Sequence, residues 1–481
     1  MSVFEGLSPE PVWRHFATLC ALPRPSGHEE AVRDALATWA RERALAVEKD
    51  GVGNLLIRKP ASPGREGHPG VILQGHLDMV AEARAGSSHD FLRDPIQPSL
   101  DDGWLVARDT TLGADNGLGV ALALAVLEAP DAKHPPLEVL LTVDEERGMT
   151  GAQGLAPGWL KGTRLLNLDT EGWGEFYLGC AGGVDVNVTR AFTLRPAPAG
   201  HTGARITVGG LAGGHSGCDI ALGRGNANKI LVGVLQTLAE HGARLGGQLA
   251  GGSARNAIPR DAWATVSLPP GLEEGLDTLL GTAQERLRAL LPPEDAGLGL
   301  SATPADVETV MDPIDQETLL AVLAAAPCGV HAMSPAFAGV VETSNNLGVL
   351  RLENGAFRAN LLARSLIDAQ TRRLADTLTE VFHAAGFTAT AAGFYPGWTP
   401  NPASPLLATC RAVYARAFQA EAGLQVIHAG LECGLIAARY PSLDMISFGP
   451  TIQGAHAPGE RVDVASVGHA WRLLRALLAA L

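Results

Sequence analysis

Histidine and carboxylate side chains stand at the ends of several predicted strands in this sequence. Nearly all of them follow a short apolar segment, and one lies in a glycine-rich turn before a predicted helix. Because the carboxyl ends of parallel strands meet at one edge of a sheet, where such sheets bind ligands, we expect these side chains to lie close together. The residues of this set are His76, Asp78, Asp115, Glu145, Glu146, Asp169 and His456.

Such a set of side chains needs cations nearby. Imidazoles and several carboxylates at one sheet edge would repel one another and lose hydration, whereas two divalent ions would turn them into ligands. Histidine with carboxylate and without cysteine suits zinc, with manganese or cobalt as substitutes. Taken singly, Asp115 could cap a helix and the pair Glu145 and Glu146 could lie in a solvated turn. The joint pattern favours a site for two Zn²⁺ ions per chain.

Short buried strands alternate with helices in the first part of the chain. Residues 71–75, 137–143 and 164–168 are apolar enough for buried strands, while residues 29–46 and 118–127 have the spacing or composition of helices. Buried strands that alternate with helices predict a mostly parallel sheet flanked by helices on both faces. The fold class is therefore α/β for this part of the chain.

The pattern changes near Cys180, where half-exposed strands of alternating polarity begin, interleaved with further helices. A stretch rich in glycine and proline at 393–405 marks a second boundary, after which helix and strand signals return. We therefore expect a discontinuous catalytic domain, residues 1–183 and 393–481, with an inserted α+β lid domain, residues 184–392.

Length and composition limit the class of protein. The chain has 481 residues, 46% hydrophobic and 18% charged, which is typical of a globular protein of two or more domains. Its net charge of −14 argues against binding to nucleic acid or anionic membranes. The N-terminus lacks the pattern of a signal peptide, no apolar run reaches transmembrane length, and the six cysteines include no CxxC pair. We expect a cytoplasmic protein with reduced thiols.

Several motifs resemble those of a known superfamily. The di-zinc peptidase superfamily, which includes carboxypeptidases and aminoacylases, has metal motifs similar to residues 75–80 (GHLDMV), 110–117 (TTLGADNG), 141–152 (LTVDEERGMTGA) and 166–171 (LNLDTE). Within it, the aminoacyl-histidine (cytosol non-specific) dipeptidase branch is similar over residues 179–183 (GCAGG), 213–217 (GGHSG), 224–229 (RGNANK), 255–260 (RNAIPR), 343–348 (TSNNLG) and 428–434 (HAGLECG). The match runs in order along nearly the whole chain.

This resemblance implies a role for each metal-site residue. Asp115 would bridge two metal ions. His76 and Asp169 would complete the first ion, and Glu146 and His456 the second. The implied catalytic pair is Glu145, the general base for the bridging water, and Asp78, which would orient the imidazole of its neighbour.

The resemblance also implies substrate-binding residues outside the metal motifs. His215, Asn256 and Arg364 of the inserted domain match positions that bind a substrate carboxylate or stabilise an oxyanion. Gly430, in the returning part of the catalytic domain, would offer backbone contacts. Because the first three residues are far in sequence from every metal ligand, we expect domain closure or a partner subunit to bring them to the site. This favours a homodimer.

The function implied is metal-dependent hydrolysis of dipeptides, Xaa-His dipeptides among them. An N-acyl amino acid deacylase or a carboxypeptidase on the same scaffold is an alternative, which only the branch motifs near Thr343 and His428 disfavour. A non-catalytic binding protein is a further alternative. It predicts the loss of Glu145 or of a ligand, and all of these residues are present.

Overall fold

The computed structural model describes residues 3–481, which form two compact units. The first unit contains the chain up to Gly179, together with Pro400–Val426 and Leu431–Leu481. The second unit contains Cys180–Thr399 and Ile427–Gly430. None of the helices within residues 3–481 has the length and apolar character needed to cross a membrane.

Helices and strands are distributed over both units. The α-helices are α1 (Glu10–Ala21), α2 (Glu30–Glu42), α3 (Ala114–Glu128), α4 (Glu145–Gly148), α5 (Thr150–Gln153), α6 (Ala227–Glu240), α7 (Leu272–Arg288), α8 (Pro313–Ala325), α9 (Asp368–Ala384), α10 (Pro405–Phe418), α11 (Glu432–Arg439) and α12 (Val464–Ala480). The strands of the first part are β1 (Ala46–Lys49), β2 (Leu55–Lys59), β3 (Val71–His76), β4 (Ser99–Asp101), β5 (Trp104–Val106), β6 (Leu137–Thr142), β7 (Arg164–Asn167) and β8 (Glu175–Cys180).

The remaining strands follow in chain order. They are β9 (Gly182–Ala191), β10 (Leu194–Pro196), β11 (Thr202–Gly209), β12 (Gly214–His215), β13 (Arg244–Gly251), β14 (Ala257–Ile258), β15 (Ala262–Leu268), β16 (Gly299–Pro304), β17 (Thr309–Met311), β18 (Gly329–Met333), β19 (Val341–Glu353), β20 (Ala356–Ser365), β21 (Thr388–Tyr395), β22 (Gly423–Ile427), β23 (Asp444–Ser447), β24 (Ile452–Gln453) and β25 (Arg461–Asp463).

The first unit is built on an eight-stranded sheet with the order β1-β2-β6-β3-β7-β23-β8-β22. Its four central strands, β6, β3, β7 and β23, are parallel, while β1, β2 and β8 pair in antiparallel fashion. Every residue of β3 and β6 is buried, as expected for central strands covered on both faces. The expected α/β fold with a sheet flanked by helices is confirmed, but the sheet is mixed, and its parallel pairing is confined to the four central strands.

Helix α3 follows the glycine-rich turn and packs against the sheet of the first unit. It is apolar on all sides and almost wholly buried, because it packs on α1 and β3. Gly113, which precedes the helix, has a positive φ of 67°. Asp115 and Asn116 have non-helical backbone angles, so the regular helix starts after them. A side chain at Gly75 of β3 would collide with the amide of Asn116, which allows α3 to approach the sheet closely.

The second unit contains an eleven-stranded sheet whose main order is β16-β11-β15-β13-β19-β20-β9-β21, and the pairs described within it are antiparallel. Burial alternates along strands such as β11, because one face of the sheet packs on the core and the other is more exposed. Helices α6, α8 and α9 contribute to the same core. This is the α+β arrangement expected for the inserted part of the chain.

Candidate active site

The first unit brings the five predicted metal ligands to the edge where its central parallel strands end. His76 is the last residue of β3, Glu146 lies in α4 just after β6, and Asp169 comes two residues after β7. Asp115 stands at the entry to α3, and His456 lies in the loop between β24 and β25 with a positive φ of 65°. Parallel strands that end together explain why residues so distant in sequence meet.

Asp115 is the centre of this group. Its Oδ1 lies 3.1 Å from Nε2 of His76, and its Oδ2 lies 3.2 Å from Nε2 of His456. The two oxygens of one carboxylate therefore face two different imidazoles. This arrangement would let Asp115 offer one oxygen to each of two metal ions.

The other two carboxylates divide between the same imidazoles. Asp169 Oδ1 lies 3.3 Å from Nε2 of His76, and Glu146 Oε2 lies 3.0 Å from Nε2 of His456. Each histidine thus has one carboxylate of its own and shares Asp115 with the other. Ligand atoms of His76, Asp115 and Glu146 lie within 4.8 Å of one another, a spacing that could hold a metal ion.

Buried oxygens without partners test whether a cation fits this group. Oε1 of Glu146 is buried and has no hydrogen-bond partner among the described residues, and the buried Oδ1 of Asp169 has only its 3.3 Å contact with His76, which lacks hydrogen-bond geometry. Burial raises the pKa of Asp169 to about 6, while hydrogen bonds with Asp115 and Glu146 raise the pKa of His456 to about 11. Uncompensated buried carboxylate oxygens are costly, and divalent cations would satisfy them. The residues present therefore fit a pair of divalent ions.

Asp78 contacts His76 and holds the turn that begins α4. Its Oδ1 lies 3.4 Å from Nδ1 of His76 and accepts a hydrogen bond from the backbone N–H of Glu145 at 3.0 Å. Its Oδ2 accepts from the backbone N–H of Glu146 at 3.2 Å and from the hydroxyl of Ser26 at 2.7 Å. Burial opposes the charge of Asp78, but hydrogen bonding to His76 keeps its pKa below the ordinary value.

Glu145 is the carboxylate of this group that forms no ion pair with His76 or His456. Its side chain makes no hydrogen bond to any residue among 3–481 in the structure, whereas its neighbour Glu146 contacts His456. Burial raises the pKa of Glu145 well above its usual range, and the nearby carboxylates of Asp169 and Glu432 add to this. A carboxylate whose oxygens are free, next to the residue that contacts His456, is placed to accept a proton from water.

A buried hydrogen-bond network behind the ligands was not expected from the sequence. Oε2 of Glu432 accepts hydrogen bonds from the side chains of Gln74 and Thr142, both at 2.6 Å. Asn167 in turn donates to Gln74. Burial raises the pKa of Glu432 to about 8. The sequence feature that could have indicated this network is a polar residue near the end of each apolar strand, such as Gln74 two positions before His76.

The second unit contains a cluster formed by Arg364, His428 and His215, in which Arg364 carries the positive charge. Arg364 of β20 is 4% exposed, forms no ion pair with a described residue and donates to the hydroxyl of Tyr395 at 2.7 Å. His428, 6% exposed, has its Nε2 2.8 Å from the hydroxyl of Ser344 on the neighbouring strand. Burial, followed by the charge of Arg364, lowers the pKa of His428 to about 3 and also lowers the pKa of His215. A buried guanidinium without a carboxylate partner suits an anionic ligand.

The other substrate-binding candidates lie in the same unit. β12 pairs with β14, so that His215 faces Ala257, and the carbonyl of Asn256 accepts from Ser216 at 2.7 Å. These contacts place His215 and Asn256 side by side. The segment Ile427–Gly430 groups with the second unit, so Gly430 does not lie in the first unit, to which the sequence analysis assigned it. The motif at residues 428–434 does not indicate that the chain returns to the second unit there.

The α/β fold and the facing histidines and carboxylates suit a metal-dependent hydrolase, and comparison with known proteins gives the family of the chain. Residues 72–480 match the model of peptidase family M20/M25/M40, and the chain belongs to this family. It is 45% identical, over 99% of both chains, to the cytosol non-specific dipeptidase of Escherichia coli strain K12.

Solved structures show the same relationship. The crystal structure of aminoacylhistidine dipeptidase from Vibrio alginolyticus is similar with a TM-score of 0.91 and 45% identity, covering 99% of this chain and 98% of that one. An aminopeptidase from Bacillus cereus shares the fold with a TM-score of 0.61 at 16% identity, covering 98% and 99% of the two chains.

Proposed function

We propose that this chain is a metal-dependent dipeptidase, with Xaa-His dipeptides among its substrates. The observation that carries the proposal is the placement of the two oxygens of Asp115 against His76 and His456. Dipeptidases that are 45% identical over nearly the full length support the choice of substrate class. The free oxygens of Glu145, next to Glu146 in the group that faces the histidines, support hydrolysis over simple metal binding.

We further propose that two divalent ions, zinc by preference, bind to His76, Asp115, Glu146, Asp169 and His456. Three carboxylates and two imidazoles without a thiolate suit zinc, and manganese or cobalt could replace it. Two such ions would polarise the scissile carbonyl and lower the pKa of a shared water. Asp115 would serve both ions, because each of its oxygens faces a different histidine.

In the proposed mechanism, Glu145 transfers the proton. Its carboxylate accepts the proton of the attacking water and delivers it to the nitrogen of the leaving amino acid. Asp78 acts as a positioning residue, because it contacts the imidazole of His76 and accepts from the backbone of Glu145 and Glu146 at the same time. One side chain thereby fixes a ligand of each ion relative to the base.

The cluster of Arg364, His428 and His215 in the second unit would bind the substrate carboxylate and the developing oxyanion. Nδ1 of His215 accepts backbone N–H groups from Gly217 and Cys218 at 3.2 and 3.0 Å. The neutral imidazole therefore carries its proton on Nε2, which can donate to an oxyanion. Arg364, with Nε buried and without a partner, would pair with the substrate carboxylate. Asn256, beside His215, and the backbone of Gly430 would add donors.

A dipeptide panel tests the proposed function. Metal-reconstituted protein is expected to hydrolyse β-Ala-His and α-dipeptides, and to leave N-acetyl amino acids and longer peptides nearly untouched. Faster cleavage of N-acetyl amino acids would instead support the deacylase alternative, and release of C-terminal residues from long peptides would support the carboxypeptidase. Absence of hydrolysis across the panel, with metal bound, would contradict the proposal in favour of a non-catalytic protein.

Arg364→Ala is expected to raise KM for dipeptides with a free C-terminal carboxylate, by about 10- to 100-fold if a charged hydrogen bond of 1.5–3 kcal/mol is lost. For the same dipeptides with an amidated C-terminus, the variant and the wild type should have similar kinetics. His215→Ala should mainly lower kcat, by about 10²–10³-fold.

The matched control for this experiment is Arg190→Ala, because Arg190 lies in the same sheet and pairs with Asp315 at 3.0 Å. This control should leave both kinetic constants near the wild-type values. Wild-type constants for both Arg364→Ala and His215→Ala at confirmed metal occupancy would contradict the assignment of the cluster.

We also propose that the protein is a cytoplasmic homodimer. The second unit exposes an apolar groove between α6, α7 and β18, with Leu290 76% and Val330 40% exposed at its edge. A second copy of the chain would cover these side chains. The cytosolic location of the E. coli relative, stated in its name, supports the compartment. Sedimentation should give twice the mass of the chain, and a stable monomer at micromolar concentration would contradict the dimer.

A further inference from the structure

Glu460 is a buried carboxylate that the proposed mechanism does not use. It is 1% exposed and accepts four backbone hydrogen bonds from the turn that leads into α3. Its Oε2 accepts from Leu112 and Gly113 at 2.7 and 2.9 Å. Its Oε1 accepts from Ala114 and Asp115 at 2.8 and 3.2 Å. Both oxygens are thus fully engaged by consecutive residues that end at the central carboxylate of the site.

The same turn is held from its other side by a buried cation. Arg24, 2% exposed, donates to the carbonyl of Gly113 at 2.5 Å and to the carbonyls of Leu77 and Asp78 at 2.9 and 3.1 Å. A side chain at Gly113 would collide with this guanidinium. The turn is therefore fixed from two sides: the carboxylate of Glu460 accepts from its N–H groups, and the guanidinium of Arg24 donates to its carbonyl at Gly113.

Glu460 is also connected to the second histidine of the site. It lies four residues after His456, and its backbone N–H donates to the carbonyl of Ala457 at 3.1 Å. The short segment 456–460 therefore contains one ligand at its start and the anchor of Asp115 at its end. Any displacement of Glu460 would therefore shift both Asp115 and His456.

We propose that Glu460 is a positioning residue that fixes the backbone of residues 112–115, so that the two oxygens of Asp115 face His76 and His456. This inference rests on the proposed two-metal function. It predicts that Glu460 sets metal affinity and turnover, beyond its contribution to folding. Residues that orient ligands in this way are worth about 10- to 100-fold in metal affinity or activity.

The test is Glu460→Gln, which keeps the size of the side chain but turns an NH₂ group toward one pair of backbone N–H groups. Metal affinity would be measured on apo-protein by competition for Zn²⁺ with a chromophoric chelator. The expected result is a loss of about 10- to 100-fold in affinity. In the metal-saturated enzyme, kcat should fall while KM for β-Ala-His stays near its wild-type value.

Glu138→Gln is the matched control. Glu138 is also buried in the first unit and accepts backbone N–H groups from Lys161 and Gly162 at 2.7 and 2.8 Å, but it lies in the first half of β6, away from the ligands. This variant is expected to lower the melting temperature of the apo-protein without changing metal affinity. If Glu460→Gln does the same and no more, Glu460 is only structural and the proposal is overturned.

Two further outcomes separate this inference from the proposed function. Wild-type protein that binds metal but cleaves no dipeptide would overturn the proposed function alone, since metal affinity still reports on Glu460. If Glu460→Gln does not fold, Glu460→Asp replaces it, because the shorter side chain cannot reach both pairs of N–H groups and should show the same direction of change. Failure of both variants to fold, where Glu138→Gln folds, would overturn the positioning role.

Discussion

Glu145→Gln is expected to lower kcat by about 10²–10⁴-fold while both metal ions stay bound, which is the usual contribution of a general base. The physical reason is that Gln cannot accept the proton of the attacking water. Metal binding should survive, because the side chain of Glu145 makes no hydrogen bond to a described residue and is not among the side chains that face the imidazoles. The measurement is steady-state kinetics together with metal analysis of the same preparation.

The neighbouring residue provides the control. Glu146→Gln should lose metal, because Oε2 of Glu146 lies 3.0 Å from Nε2 of His456 within the ligand group. If Glu145→Gln emptied the site and Glu146→Gln left it filled, the roles of the two glutamates would be reversed.

Asp115→Ala should remove both metal ions and reduce hydrolysis to background. Each of its oxygens faces a different histidine, so the substitution deprives both ions of a ligand and leaves His76 and His456 without their shared partner. Elemental analysis after gel filtration measures the ions per chain. Asp169→Asn is the comparison, because Asp169 contacts His76 alone and its change should cost one ion. Equal metal content in the two variants would contradict a shared role for Asp115.

Much of this site could be predicted from the sequence because its residues are tied to strand ends. An apolar run such as residues 71–75 forms a buried central strand almost regardless of context, and a polar residue directly after it must emerge at the sheet edge. His76, Glu146 and Asp169 are all placed by this rule. Asp115 is placed by the glycine turn, which the chain needs in order to enter α3.

The supporting residues could not be predicted in the same way. Glu460 accepts from residues about 345 positions away, and Glu432 accepts from side chains of β3 and β6. Such bonds depend on how distant segments meet, and neither the type nor the spacing of these residues indicates it. A single glutamate in a loop is far more often solvent-exposed than buried.

The second unit shows the same limit. Alternating polarity along β9, β11 and β20 indicates antiparallel strands, but not which strands are neighbours. The pairing of β20 with β19 puts Arg364 opposite Ser344, whose hydroxyl contacts His428 from the returning segment. In the sequence His428 stands out only as part of the motif at residues 428–434, and its contact with the residues around Arg364 follows from the sheet register.

The most direct test of the account is a titration of the apo-protein with Zn²⁺ in which hydrolysis of β-Ala-His is followed at each addition. A two-metal dipeptidase should stay nearly inactive in the presence of chelator and reach its plateau as the bound metal approaches two equivalents per chain. Full activity in chelated protein, or a plateau at one equivalent with no second ion bound, would contradict it.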